Sequence, residues 1–258
     1  TYTQQQISSD VIPAAIGGIA SFTMHNLKLE NKIKLFKYPE KLAQELEKNN
    51  FPDIIGFSNY IWNKELSYSF AKNIKEMNPK TIIVFGGPNY PLTTDEQEKF
   101  LREHPAVDFY IVREGEIAFA NLASELCNKG FDKNKISQKL PSVHFINSSD
   151  QIILNETADR IKDLTEIPSP YLNGLLEEFF DGKLRPILQT NRGCPFGCTF
   201  CVEGKLYYNR VYTNSQEKIN LELEYMGKKI IETKEKGSIN TLLIVDSNFG
   251  MYNQDIPT

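Results

Sequence analysis

Short apolar runs alternate with amphipathic, charge-rich segments through the first half of this chain, and this alternation is the strongest constraint on its fold. The clearest runs, at 53–58, 81–85 and 107–112, are rich in Ile, Val and Phe, and each precedes a segment with helical spacing. Strands that are apolar on both faces form parallel sheets covered by helices on both sides. The sequence therefore predicts an α/β fold built on a doubly wound, Rossmann-like parallel sheet.

Further elements extend the pattern in both directions. The predicted helices lie at 11–26, 39–50, 63–77, 95–103 and 117–128, with a strand at 32–38 and a β-hairpin at 142–146 and 151–155. After a Pro-containing stretch come a strand at 185–190, a helix at 217–236 and a strand at 240–250. We therefore expect three parts: a Rossmann-like domain at 1–160, a linker at 161–183, and a second domain that begins at 184–258.

The composition is that of an ordinary globular protein, with 40% hydrophobic and 24% charged residues among 258. The formal net charge of −4 disfavours nucleic acid as a partner, because phosphate-binding surfaces are usually basic. No apolar run is long enough to predict a membrane span. The first ten residues also lack the basic and apolar regions of a signal peptide. The composition thus excludes a disordered or fibrous chain.

Three of the four cysteines, Cys194, Cys198 and Cys201, lie within eight residues at the spacing C-x3-C-x2-C. Three clustered thiols cannot pair evenly, which argues against a secreted disulfide framework. A closed zinc site needs four ligands, yet no second pair of cysteines and no histidine follows the cluster closely. Three thiolates suit an iron–sulfur cluster that keeps one coordination position open. The fourth cysteine, Cys127, lies on a predicted helix and is expected to be a small buried residue.

The neighbours of these cysteines favour a tight ligand loop. Gly193, Pro195 and Gly197 allow the backbone to turn closely around the thiols, and Phe200 offers a flat apolar surface between two of them. The extended run at 185–190 delivers the loop from the carboxyl end of a strand, where sites are built in α/β proteins.

The C-x3-C-x2-C run, with an aromatic residue before its last cysteine and a strand before its first, resembles the radical S-adenosylmethionine (SAM) superfamily. The resemblance implies that Cys194, Cys198 and Cys201 hold a 4Fe–4S cluster whose fourth iron is chelated by SAM. It also implies one-electron cleavage of SAM to methionine and a 5′-deoxyadenosyl radical. A zinc-braced binding module remains the alternative from another class of protein.

Three loops after the predicted strands resemble those of the cobalamin-binding domain that precedes many radical SAM barrels. They read GFSNYIWN, VFGGPNYP and VDFYIVREGE, and in a doubly wound sheet they converge on one crevice. The resemblance implies a partial (β/α) barrel beginning at 184–258 and a cobalamin site drawn from all three loops: Ser58, Asn59, Gly86, Gly87, Pro88, Glu114, Gly115 and Glu116. Simple turn chemistry is the alternative for each loop taken singly.

One departure from the family pattern concerns the lower ligand of cobalt. Many cobalamin domains carry a D-x-H-x-x-G loop, whereas residues 1–10 contain no histidine and His25 lacks the neighbouring Asp and Gly. Shape and backbone contacts would then have to hold the corrin. A domain that has kept the fold and lost the cofactor remains an alternative.

For SAM, the resemblance implies contacts from Phe200 and Val202 beside the last cysteine, and from Asp246 and Asn248 after the last predicted strand. The alternative for Asp246 and Asn248 is an ordinary turn at the end of a strand.

The whole arrangement resembles the cobalamin-dependent radical SAM class, which implies methyl transfer to an unactivated carbon of a small-molecule substrate. A related radical reaction and a radical SAM enzyme without cobalamin remain alternatives. An electron-donor protein such as flavodoxin or ferredoxin is the implied partner, and oxidation of exposed thiolates implies a cytoplasmic location. The absent initiator Met and the presence of only two barrel strands lead us to expect an internal piece of a longer enzyme, inactive alone, whose first sheet strand precedes residue 1.

Overall fold

The computed structural model describes residues 10–29, 32–204, 206–233 and 239–255. Within them, 22–159 form one compact unit, and 10–21 with 160–255 form a second. The helices are α1 (Ala14–Leu27), α2 (Pro39–Glu47), α3 (Lys64–Met77), α4 (Thr94–Glu103), α5 (Glu116–Asn128) and α6 (Gln216–Thr233). The strands are β1 (Ile54–Ser58), β2 (Ile82–Gly86), β3 (Phe109–Ile111), β4 (Val143–Ile146), β5 (Ile152–Leu154), β6 (Ile187–Leu188), β7 (Asn191–Arg192), β8 (Tyr212–Thr213) and β9 (Leu243–Ile244). None of the described helices combines the length and the apolar character needed to cross a membrane.

The first unit is built on a five-stranded sheet in the order β1-β2-β3-β4-β5. β1, β2 and β3 are parallel, with Ile54 opposite Ile82 and Val84 opposite Phe109, and β4 and β5 complete the sheet as an antiparallel hairpin. The predicted α/β class with a parallel sheet is therefore confirmed. Because parallel strands point the same way, the loops after β1, β2 and β3 emerge at one edge of the sheet.

Helices cover this sheet on both faces, as a strand apolar on both sides requires. Along β2, Ile83 and Phe85 pack with apolar side chains of α2, α3 and α4. Their neighbours Ile82 and Val84 point the other way and pack with α5. All four side chains are almost completely buried, and each such burial contributes about 1.5–3 kcal/mol to stability.

Two predicted details differ from the structure, and a third lies partly outside the described residues. Residues 32–38 are not a strand but an irregular segment in which Leu35 is buried. The alternation of apolar and charged residues in this segment therefore reflects burial of apolar side chains rather than pairing with another strand. Cys127 is exposed, because it lies about 100° around α5 from the buried Leu126. The last residues of the helix predicted to end at Lys236 lie outside the described residues.

In the second unit, β6 pairs in parallel with β9, and α6 lies between them in sequence. β7 and β8 form an antiparallel pair between β6 and α6. The residues predicted as a linker carry buried side chains, among them Leu164, Leu176 and Phe179, and they pack within this unit. Residue 12 also belongs here, since its backbone N–H donates to the Arg185 carbonyl at 2.9 Å. The described part of this unit is thus one β–α–β arrangement with a hairpin inside it; the barrel and the domain limits stay predictions.

Candidate functional site

A hydrogen-bonded network locks the strand ends of the first unit together. Asn59, which follows β1, is completely buried, and its Nδ2 donates to the Asn89 carbonyl at 2.8 Å and to the Tyr110 hydroxyl at 3.1 Å. The Asn59 backbone N–H donates to the Gly86 carbonyl at 2.6 Å, and the Tyr110 hydroxyl donates to the Gly87 carbonyl at 3.0 Å. The side chain of Asn59, predicted as a cobalamin contact, is therefore part of the scaffold beneath the edge.

Gly87 is the residue that allows the first two loops to meet. Its φ of +125° is a conformation that favours glycine, and an added Cβ would lie 2.7 Å from the Asn59 carbonyl oxygen. A Cβ on Gly86 would make only ordinary contacts, the nearest at 3.6 Å from the Ile111 carbonyl oxygen. The close approach of the loops after β1 and β2 thus requires a glycine at position 87 but not at position 86.

The loop after β1 presents an apolar surface at this edge. Ile61 is 74% exposed and Trp62 53% exposed, and the Trp62 ring stacks on Tyr60 with centroids 4.7 Å apart and planes at 10°. Asn63 fixes the loop, because its Oδ1 accepts from the Tyr60 backbone at 2.7 Å and its Nδ2 donates to the Ser58 carbonyl at 2.9 Å. The loop therefore offers a broad aromatic surface suited to a large flat ligand. The sequence signal was two large apolar residues in the loop that follows a strand.

The remaining predicted cobalamin residues lie at the same edge. Glu114, Gly115 and Glu116 follow β3, and Gly115 is the N-cap of α5. Glu116 is buried, whereas Pro88 after β2 is exposed. The structure thus brings all eight predicted residues to the carboxyl edge of the sheet and buries two of them, Asn59 and Glu116.

The β7–β8 pair frames the cysteine loop of the second unit. The Cys194 backbone N–H donates to the Tyr208 carbonyl at 2.8 Å, which ties the start of the loop to the returning chain. The Cys201 N–H donates to the Cys198 carbonyl at 3.2 Å and so closes a turn between the other two cysteines. All three thiols are free; Cys198 is exposed, and Cys194 and Cys201 are half-buried.

Two glycines make the close backbone approaches in this loop. Gly193 has a φ of +114°, and an added Cβ would lie 2.9 Å from the Tyr208 carbonyl oxygen and closer still to that of Arg210. A Cβ on Gly204, which the sequence analysis missed, would lie 2.9 Å from the backbone nitrogen of Cys198. Gly197 has nothing within 4 Å of such an atom, so the tight turn does not require this glycine.

Among the described residues, no three His, Cys, Asp or Glu side chains form a group that could hold a metal ion. A single-ion site such as zinc gathers its ligands around one point. The three thiolates expected for an iron–sulfur cluster bind separate irons and therefore stand further apart. The chemistry of the donor set on this loop, three free thiols, is what a cluster requires.

Asp246 braces the end of β9 against the turn between β6 and β7. Its Oδ1 accepts from the Thr190 backbone at 2.8 Å, and its Oδ2 accepts from the Thr190 hydroxyl and from the Asn191 Nδ2 at 3.0 Å. Burial raises the pKa of Asp246 above its ordinary value, although the hydrogen bonds from Thr190 and Asn191 act in the opposite direction. Both carboxylate oxygens are engaged within the fold, which favours the turn alternative over a contact with SAM.

The other residues predicted to contact SAM lie beside the thiols. Phe200 is 92% exposed and Val202 51% exposed, both on the cysteine loop. The Asn248 Nδ2 donates to the Cys194 Sγ at 3.1 Å, a contact that sequence reasoning did not foresee. Nearby, burial raises the pKa of the Tyr252 phenol, and the charges of Cys194 and Asp255 act in the same direction.

Arg160 organises the frame of the cysteine loop from the segment that the sequence assigned to the domain boundary. Its guanidinium donates to the carbonyls of Arg210 at 2.6 Å, Arg192 at 3.2 Å and Tyr207 at 3.3 Å. The same group lies over three aromatic rings, with centroid distances of 4.8 to 5.7 Å: Tyr212, Tyr207 and Tyr208. The planar five-donor guanidinium is well suited to hold several carbonyls at once.

Comparison with known proteins adds a family and several relatives. Residues 8–123 match the B12 binding domain family. The chain is 30% identical over 211 residues to the cobalamin-dependent radical SAM methyltransferase TokK of Streptomyces tokunonensis. It is 29% identical over 211 residues to the 2-(S-pantetheinyl)-carbapenam-3-carboxylate methyltransferase of Streptantibioticus cattleyicolor. Each alignment covers 80% of this chain and 29% of the relative, so the chain spans under a third of their length.

Solved structures share the fold at low sequence identity. The cobalamin-dependent SAM radical enzyme OxsB, with aqua-cobalamin and SAM bound, matches 93% of this chain and 32% of its own, with a TM-score of 0.66 and 18% identity. The radical SAM methyltransferase TsrM from Kitasatospora setae, with its tryptophan substrate and a SAM analogue bound, matches 95% of this chain and 46% of its own, with a TM-score of 0.62 and 13% identity.

Proposed function

We propose, from the premise that residues 8–123 of this chain belong to the B12 binding domain family, that the chain is the cofactor-binding part of a cobalamin-dependent radical SAM enzyme. The relatives confirm the resemblance to that enzyme class. The proposed reaction is methyl transfer to an unactivated carbon of a small molecule, with an electron-donor protein as partner. The oxygen sensitivity of thiolate-held clusters supports a cytoplasmic location.

One observation carries the proposal: three free thiols share a loop whose backbone is fixed without them. The Cys194 N–H is bonded to Tyr208, and Arg160 holds the carbonyls of Arg192 and Arg210 on either side. The loop therefore needs no disulfide to keep its shape, and its thiols stay available as ligands. We assign Cys194, Cys198 and Cys201 to a 4Fe–4S cluster.

The carboxyl edge of the first unit fits a corrin, a large flat ring that needs apolar contact area. Ile61 and Trp62 supply exposed apolar surface there, and the Tyr60 ring stacks on the Trp62 ring. The described loops at this edge offer no histidine to cobalt; the three histidines of the sequence stand at 25, 104 and 144. Packing and backbone contacts would then hold the ring, as the sequence analysis expected.

When bound, a 4Fe–4S cluster would supply the electron that cleaves SAM, and cobalamin would carry a methyl group. The chain's own residues would bind and orient both cofactors. The three cysteines hold iron, and exposed Phe200 and Val202 lie beside the last thiol where an adenine ring can pack. Asn59 and Tyr110 keep the cobalamin edge rigid through buried hydrogen bonds. Preorganised contacts of this kind reduce the entropy lost on binding.

Anaerobic reconstitution with iron and sulfide, followed by metal analysis and absorption spectroscopy, tests the cluster. We expect about four irons per chain in the wild type, because one 4Fe–4S cluster contains four. This iron should be lost when the three cysteines are changed to alanine. A colourless protein that takes up zinc and no iron would instead establish the zinc-braced binding module.

Retention of hydroxocobalamin tests the second cofactor separately. Trp62→Ala should weaken retention about fivefold, because an exposed aromatic contact is worth about 1 kcal/mol. Met77→Ala is the matched control: Met77 is 54% exposed but ends α3, away from the loops after β1, β2 and β3. Equal retention by both variants would contradict the contact between Trp62 and the corrin, and a wild type with iron but no affinity for cobalamin would identify the radical SAM alternative without cobalamin.

A further inference from the structure

We infer that the side-chain amide of Asn248 donates a hydrogen bond to the cluster thiolate of Cys194 and thereby raises the reduction potential of the cluster. This inference rests on the proposed function, because it assumes that Cys194 is an iron ligand. It gives Asn248 a role different from the SAM contact that the sequence resemblance implies.

The geometry places the donor on the sulfur. Asn248 Nδ2 lies 3.1 Å from Cys194 Sγ, well within the range of an N–H···S hydrogen bond. Fifty-four positions separate the two residues, so the tertiary fold alone brings them together. The amide reaches the first of the three thiols, the one whose backbone N–H is already bonded to Tyr208.

The segment that carries Asn248 is held on both sides. Before it, the Val245 N–H donates to the Leu188 carbonyl at 2.9 Å, and Asp246 is bonded to Thr190. After it, the Met251 N–H donates to the Asn248 carbonyl at 3.3 Å, and a carboxylate oxygen of Asp255 accepts from the Gly250 N–H at 2.8 Å. Backbone and side-chain hydrogen bonds on both sides of Asn248 therefore fix the position of its amide relative to Cys194.

A hydrogen bond to a ligating sulfur draws charge away from the iron. The reduced cluster carries one more negative charge than the oxidised cluster and gains more from such a donor, so the bond raises the potential. Contacts of this kind behind a metal ligand also fix the ligand's orientation. Asn248 is thus a positioning residue for Cys194 that favours the reduced state of the cluster.

Three variants test the inference in the reconstituted protein without SAM. Asn248→Leu keeps the size of the side chain and removes the donor, and Asn248→Gln retains an amide. Ser247→Ala is the matched control, since Ser247 precedes Asn248 and bonds Glu203 rather than a thiol. The midpoint potential is measured by redox titration followed by electron paramagnetic resonance.

The expected result is a more negative midpoint for Asn248→Leu, with Asn248→Gln closer to wild type and Ser247→Ala unchanged. An Asn248→Leu midpoint equal to that of wild type would overturn the inference, as would a change confined to the affinity for SAM. If Asn248→Leu folds but loses iron, Asn248→Ala takes its place, because it also removes the donor: a midpoint more negative than that of Ser247→Ala supports the inference, and an equal midpoint overturns it. A wild type that assembles no cluster would instead contradict the proposed function.

Discussion

At the scale of single residues, the cysteine loop depends on positions that carry no reactive group. Gly193 passes so close to the carbonyls of Tyr208 and Arg210 that no side chain fits, and its φ of +114° adds a conformational requirement. The loop can therefore present three thiols only because the residue before the first of them is glycine.

Gly193→Ala should destabilise the protein by about 1–3 kcal/mol and reduce its iron content, because a residue with a Cβ is strained at this φ and collides with backbone. Gly197→Ala, in the same loop but with open space around its Cβ, should keep both properties close to wild type. Thermal denaturation and iron analysis on the two variants provide the measurement. Equal losses in both variants would show that any substitution in the loop is destabilising, and that the backbone clash at Gly193 is not the specific cause.

How much of the site could be predicted depends on whether the interacting residues are near in sequence. The thiols could be found because their spacing is local. The bonds from Arg160 to the Arg210 carbonyl and from Asn248 to Cys194 span 50 and 54 positions, and no sequence pattern marks such pairs. Gly87 could be suspected as a turn residue, but its contact with Asn59 appears only when two strands are paired side by side.

At the scale of elements, α6 carries an acidic residue on its buried face. Glu222 shares this face with Ile219 and Met226, at the spacing of one helical stripe, and it is only 6% exposed. Burial raises the pKa of Glu222, while the hydrogen bond from Ser169 and the charge of Lys218 act in the opposite direction. Burial therefore outweighs the favourable contacts, and ionisation of this group favours the unfolded chain.

The sign of the pH dependence follows from that raised pKa. Below the unfolded value of 4.5 the group is protonated in both states and has no effect; as pH rises through the window above 4.5, the unfolded state ionises first and folded stability falls. Glu222→Gln removes this loss, so its melting temperature should exceed that of wild type by about 2–4 °C at pH 7 and converge with it near pH 4. The substitution does not leave the Lys218 ammonium without partners, because it still donates to the carbonyls of Leu164 and Ile167.

Glu224→Gln is the control for this experiment, because Glu224 lies on the exposed side of the same helix. Calorimetry across pH 4 to 7 measures the three proteins. A Glu222→Gln protein less stable than wild type at pH 7 would show that the contacts with Ser169 and Lys218 outweigh burial.

At the scale of the whole molecule, the chain divides into two units that each contain one candidate cofactor site. The strands and helices of the first unit were largely predictable, because buried parallel strands have continuous apolar runs. The second unit was harder, since its strands are two residues long and its residues 10–21 come from the start of the chain. Short strands leave too few apolar positions for a period to be recognised.

The two cofactors should bind independently. Changing Cys194, Cys198 and Cys201 together to alanine should abolish iron uptake yet leave the stabilisation by hydroxocobalamin intact, about 2.7 kcal/mol at a hundredfold excess over the Kd. Trp62→Ala should leave iron uptake intact and lower the stabilisation to about 1.8 kcal/mol at the same hydroxocobalamin concentration, as a fivefold weaker Kd requires. Differential scanning fluorimetry with and without hydroxocobalamin measures the stabilisation, and iron analysis measures the uptake. Loss of the hydroxocobalamin effect in the cysteine variant would mean that the two sites are thermodynamically coupled.

Arg160 limits where this chain can be divided. An excised module beginning at residue 184, the start suggested by the sequence, would contain all three cysteines but not the guanidinium that holds the carbonyls of Arg192, Tyr207 and Arg210. It would also lack the backbone of residues 10–12, to which Arg185 is bonded. The cysteine loop is therefore not a transplantable cassette: a graft into another scaffold has to carry an equivalent of Arg160 as well as the cysteines.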